Sequence, residues 1–226
     1  MKRIIMAALL GFSGTAFAGT EMLQKECASC HNMTGPAALT LKDAFGRRGP
    51  DLFYAGNKYR QEWLESWLQK PERIRPTGLY YGNHIKAGAK DDEIDTATLT
   101  NHVALSKDDA AAVAAALMKM KPHDDLIAKE KIEPISISKQ MGEMTFNKFL
   151  GCMACHLIEP EYGGFSGPEL YTAAKRLQPQ YMASFIRSPQ AWDQKSWMPN
   201  KHLSDVNIQK VVRYLELLSE ESANAN

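Results

Sequence analysis

Four cysteines fall into two pairs of identical spacing, and a histidine closes each pair: Cys27-Ala-Ser-Cys30-His31 and Cys152-Met-Ala-Cys155-His156. A disulfide framework gives no reason for histidine at both places. A tetrahedral zinc site built from two C-x-x-C halves needs no histidine, and its halves usually lie far closer in sequence. A thioredoxin-like dithiol sits beside a βαβ pattern, and none is present. In C-x-x-C-H both thiols bond one haem and the next imidazole ligates its iron. Two copies, with no cysteine left over, imply two covalently bound haem c groups. Cys27, Cys30, Cys152 and Cys155 would be the anchors, and His31 and His156 the proximal ligands.

The motifs belong to a tandem repeat. "GPDL" at 49–52 returns as "GPEL" at 167–170, and "SWLQKP" at 66–71 as "SFIRSP" at 184–189, both offset by 118. "LSKDDAAAVAAALM" at 105–118 is echoed by "LSDVNIQKVVRYLE" at 203–216. The first unit carries about 20 extra residues before its last helix. The expected organisation is a leader at 1–18, a first domain at 19–121, a linker at 122–139 and a second domain at 140–226. Each domain is of ordinary single-domain size.

Helical periodicity dominates. Trp63, Leu64, Trp67 and Leu68 form one stripe over 58–69. Ser106 with Asp109 caps a helix over 106–120. Ser204 opens another, with Val211, Val212, Leu215 and Leu218 facing inward. A further helix, "QPQYMASFIR", ends before Ser188-Pro189. The segment "KPHDDLIAKEKIEPISISK" has two prolines, many charges and no clean helical period. Strand alternation is nearly absent, so the expected class is all-α. Trp63, Trp67, Trp192 and Trp197 are expected to pack in cores or around the haems.

Lys2 and Arg3, a short apolar run and Ala16-Phe17-Ala18 form a secretory leader with cleavage expected after Ala18. The run is too short to span a bilayer. Removing Lys2 and Arg3 with it turns the formal charge of +1 into −1. The strong basic excess of nucleic-acid binding is missing. The expectation is a periplasmic chain, soluble after cleavage.

With these motifs in place, each unit resembles a class I c-type cytochrome, and the pair resembles diheme cytochromes of the cytochrome c4 type. The resemblance spans essentially the whole mature chain. It implies an electron carrier with one haem between a crossing N-terminal and C-terminal helix in each domain. It also implies that the proline of GP-x-L offers its carbonyl to the proximal histidine. Pro50 would serve His31 and Pro168 would serve His156, fixing each ring and raising its basicity.

The second axial ligand differs between the units. In "SWMPNKHLS" Met198 precedes proline in the loop before the last helix, where the family places its methionine; Met182 in mid-helix and His202 are the rivals. In the first unit the corresponding positions are Tyr80, Leu99 and Thr100. No methionine lies between Met33, which is too near His31, and Met118, which with Met120 sits late in a helix. His102 lies four residues before Ser106 and is the first choice; His84 is the alternative. Methionine raises a haem's potential and a second histidine lowers it, so electrons are expected to run from the first haem to the second. The implied partners are redox proteins such as an oxidase, reductase or dehydrogenase, with docking to a membrane complex included. The competing expectation is a diheme oxidoreductase, oxidising sulfur compounds or reducing peroxide at the atypical first haem.

Overall fold

Helix carries nearly all of the regular structure in the computed structural model, which describes residues 19–224. The expected leader at 1–18 lies outside the described residues. Among the described residues no helix is long and apolar enough to cross a membrane.

The first half begins in helix at 19–22, which widens into a π-helical turn, Leu23–Cys27. Three short helices follow: α1 (Leu41–Gly46), α2 (Ala55–Lys58) and α3 (Gln61–Gln69). Helix α4 (Lys107–Leu117) packs along α3, burying Leu64 and Leu68 with Val113 and Leu117. The Ser106 hydroxyl accepts from the Asp109 N–H at 3.2 Å, which satisfies one of the free donors at the start of α4. The apolar stripe expected over 58–69 starts three residues late. Tyr59 is extended, with φ −95° and ψ 157°, because its backbone pairs with the second half.

The segment 122–139 reads in sequence as a linker without a clean helical period. It forms a short helix, α5 (Asp124–Ala128), and it is tied down at both ends. The His123 N–H donates to Asn57 Oδ1 at 3.1 Å. Glu130, its side chain 2 % exposed, receives both arms of Arg187 at 2.8 and 3.0 Å.

The second half repeats the plan. Helix α6 (Lys139–Met144) runs into a π-helical turn, Thr145–Phe149. Helices α7 (Ala173–Arg176), α8 (Pro179–Arg187) and α9 (Pro189–Trp192) follow, then the long α10 (Asp205–Asn224). Helix α8 stops at Ser188, as the following proline requires, and Pro189 then opens α9. Val211, Val212, Leu215 and Leu218 of α10 are all buried. Each half has its first and last helices in close contact. A Cβ on Gly19 would lie 2.2 Å from the Ala112 carbonyl oxygen, and one on Gly142 would lie 2.5 Å from the Tyr214 ring.

Two small antiparallel hairpins depart from the all-α expectation. β1 (Ile85–Ala87) pairs with β2 (Asp92–Ile94) inside the extra segment of the first half. β3 (Leu157–Glu159) pairs with β4 (Tyr162–Gly163) just after His156. Neither has an alternating run long enough to be read from sequence.

The halves meet through backbone. Tyr59 and Leu177 form an isolated antiparallel bridge. The Arg60 N–H donates to the Arg176 carbonyl and the Gln178 N–H to the Lys58 carbonyl, both at 2.9 Å. Arg60 Nε donates to the Leu177 carbonyl at 3.0 Å, and Gln178 Nε2 to the Tyr59 carbonyl at 2.9 Å. Residues 58, 59 and 60 stand 118 positions before 176, 177 and 178. Equivalent residues therefore exchange equivalent bonds, the signature of a twofold contact.

Candidate functional site

In the first half, one turn sets the motif. Cys30 and His31 N–H groups both reach the Cys27 carbonyl, at 3.1 and 3.0 Å. In the second half Cys152–Ala154 is a 3-10 turn, and the Cys155 N–H reaches the Cys152 carbonyl at 3.2 Å. Among the described residues no two cysteines form a disulfide. Burial, the main cause, pushes the Cys27 and Cys152 thiols above their ordinary range. A catalytic dithiol needs the opposite shift. Among the described residues no group of three or more His, Cys, Asp or Glu is arranged to hold a metal ion, so the two cysteine pairs do not converge on a zinc-type site.

Both proximal rings are fixed alike. His31 Nδ1 lies 2.8 Å from the Pro50 carbonyl oxygen, and His156 Nδ1 lies 2.8 Å from that of Pro168. A carbonyl only accepts, so Nδ1 carries the proton and Nε2 keeps its lone pair free for a metal. Burial, the largest cause, lowers the pKa of both imidazoles, which favours the neutral form that ligates. The glycine before each proline has a matching task. A Cβ on Gly49 would sit 2.5 Å from His31 Cε1, and one on Gly167 would sit 2.7 Å from His156 Cε1. The motif glycine is thus a steric requirement, one that the sequence reading left unassigned.

The structure separates the distal candidates of the first half. The His102 ring lies with its centroid 6.1 Å from that of His31, the planes tilted by 58°. Its Nδ1 donates to the Val103 carbonyl at 2.8 Å, leaving Nε2 as its free nitrogen too. A metal–imidazole bond is about 2 Å, so two imidazoles on opposite sides of one metal have centroids about 6 Å apart. The 6.1 Å separation of the two rings is close to that value. Trp67 backs the His102 ring at 4.7 Å. His84 points elsewhere: its Nδ1 bonds the Thr98 hydroxyl at 2.8 Å, and its ring lies over Gly78. Tyr80 stacks on Phe45 at 4.1 Å.

In the second half Met198 is half-buried. Gln190 Nε2, from α9, donates to the Met198 carbonyl at 2.9 Å and to that of Ser196 at 3.3 Å, pinning the loop. Its rival Met182 is buried inside α8, and His202 is exposed with a positive φ of 50°.

Trp197 is 66 % exposed and lies outside the protein core. It stands against Phe45 and Tyr80 of the first half, at 5.6 and 5.1 Å. The other three tryptophans are half-buried or buried, Trp192 fully.

Residues 138–215 match the family described as "Cytochrome C oxidase, cbb3-type, subunit III". Over 76 residues, 34 % of this chain, the sequence is 33 % identical to cytochrome c-551 of Bacillus subtilis (strain 168). That stretch spans 60 % of the relative's length. No solved structure matches. Taken with the thiol and imidazole geometry, these similarities support a c-type cytochrome.

Proposed function

We propose that this chain is an exported, periplasmic electron carrier built from two cytochrome c domains, 19–121 and 140–226, with one covalent haem in each. When bound, each haem supplies a one-electron iron couple. The chain's own residues do the rest. Cys27 with Cys30, and Cys152 with Cys155, supply the thioether anchors. Pro50 and Pro168 hold His31 and His156 in the tautomer that presents Nε2. His102 closes the first site and Met198 the second. No substrate bond is broken, and the partners are redox proteins such as an oxidase, reductase or dehydrogenase.

The observation that carries this reading is the closeness of the His31 and His102 rings. Were both imidazoles to hold one iron, neither side of it would be left for substrate, which favours a carrier over an oxidoreductase using the first haem. A histidine-paired first site and a methionine-paired second site place the higher potential in the second.

The test is the intact mass of the exported protein together with its visible and near-infrared spectrum. The expected result is a mass carrying two porphyrins and a methionine–iron charge-transfer band sized for one of the two. A mass with a single porphyrin, or rapid binding of carbon monoxide by one reduced haem, would overturn it.

A further inference from the structure

Apart from exposed residues such as Arg48 and Arg60, the halves carry matching charges around their proximal histidines, with two exceptions. Asp51 and Glu169 follow the two prolines, and Lys58 and Arg176 occupy equivalent places at the ends of α2 and α7. In a comparison of the two sites these pairs cancel. The exceptions are Arg47, whose equivalent is Phe165, and Arg75, whose equivalent is Asp193.

Each residue of the pair Arg75 and Asp193 is delivered to the opposite half. The Glu169 N–H donates to the Ile74 carbonyl at 2.8 Å, and the Thr77 hydroxyl donates to the Phe165 carbonyl at 2.9 Å. Both flanks of Arg75 are thereby fastened to the stretch 165–169, which contains Pro168, the acceptor for His156. In the other direction Asp193 receives Arg47 Nη2 at 2.8 Å, while Arg47 Nη1 reaches Asp51, next to Pro50, at 3.2 Å. Arg47 and Asp193 thus offset one another beside the first site. The strongest charge interactions of Arg75 are with Tyr59, Arg176, Tyr181 and Tyr54. Among the described residues no carboxylate forms an ion pair with it. With Arg176 it is one of two cations whose charge acts on the His156 ring.

We propose that Arg75, lent by the first half, raises the reduction potential of the second centre, while the Arg47–Asp193 pair withholds that effect from the first. Accepting an electron lowers a centre's charge by one, so a nearby cation favours its reduced state. Arg75 is half-buried, and a charge partly withdrawn from water is screened less by water and salt than one on the open surface. One electron leaves the first centre and arrives at the second, with no proton or bond change required of Arg75. This proposal rests on the two-haem carrier reading above.

The test is a spectroelectrochemical titration of the haem-loaded protein and its Arg75→Gln, Arg75→Lys and Asp193→Asn variants. The near-infrared methionine–iron band identifies the second centre. Arg75→Gln is expected to reduce the equilibrium constant for transfer from the first centre to the second about tenfold, which is about 59 mV for a one-electron couple. The change falls on the second centre alone. Arg75→Lys keeps most of the wild-type value, and Asp193→Asn raises the first centre's potential. An unchanged second potential in Arg75→Gln overturns the proposal, as does an equal fall at both centres or a loss in Arg75→Lys as large as in Arg75→Gln. A wild-type protein with fewer than two haems would instead overturn the carrier reading itself.

Discussion

The imidazoles of His31 and His102, 71 residues apart in the chain, have centroids 6.1 Å apart, each with Nδ1 committed to a backbone carbonyl. Replacing His102 is therefore expected to change the first haem alone. His102→Met raises that haem's potential, since a thioether replaces an imidazole, and enlarges the methionine–iron band. His84→Ala leaves the spectrum unaltered, because its ring bonds Thr98 instead. A paired spectral titration of the two variants checks this.

Gly49→Ala and Gly167→Ala each place a methyl group inside the van der Waals envelope of a proximal ring. Overpacking of this kind costs about 1–3 kcal/mol. Here it also displaces the Nδ1 bond to proline. Each variant is expected to lose haem from its own half and keep it in the other, as read by intact mass. Equal haem content in both halves would refute the steric role.

Arg187→Ala leaves the Glu130 carboxylate buried without its guanidinium partner. Removing one member of a buried pair costs about 3–5 kcal/mol; Arg187 is itself 40 % exposed in its side chain, so the lower end is expected. Arg213, its side chain 32 % exposed and paired at the surface with Glu216 and Glu220, is expected to contribute about 1 kcal/mol or less when changed to alanine. Denaturant midpoints for the two variants give the comparison.

His123 lies among Phe53, Tyr54 and Trp192, with centroids at 5.8, 5.7 and 5.2 Å. Burial, outweighing Asp125, lowers its pKa below the ordinary 6.5. The unfolded chain then binds more protons than the folded one below 6.5, so stability falls as pH drops from 6.5 toward the folded value. His123→Phe removes this contribution, and its backbone N–H still reaches Asn57. Denaturation at pH 7 and pH 5 is expected to show a smaller loss for the variant than for the wild type. An identical loss would exclude the histidine as its source.

What could be read from the sequence was local or repeated. Each C-x-x-C-H is a fixed short turn, so its chemistry is written in five adjacent residues. The Ser106 cap and the buried face of α10 follow from periodicity. Pro50 and Pro168 were nameable only through family resemblance, since nothing in spacing shows which carbonyl a ring will meet. The tasks of Gly49 and Gly167 come from a ring packed against them, information held by distant residues. The choice between His102 and His84 depended on how the extra segment folds, and its β1–β2 hairpin has no alternating pattern long enough to reveal it. Tyr59 leaves its helix because of Leu177, a tertiary override of local propensity. Aromatic bulk predicts burial on average and does not say which neighbour covers a ring, so the place of Trp197 beside Phe45 and Tyr80 was not legible. The offset of 118 sets Arg75 against Asp193, but a charge mismatch in the repeat does not say which half the side chain serves.

The bonds exchanged around Tyr59 and Leu177 have a further meaning. Because each donor on one side answers the same donor on the other, this is a joint that two separate, identical molecules could also make. A short covalent tether then converts a concentration-dependent association into a permanent one without inventing any new surface. Afterwards the two copies are free to diverge in side chains while the main-chain handshake stays as it was: tyrosine against leucine at the axis, and arginine against aspartate where each reaches across.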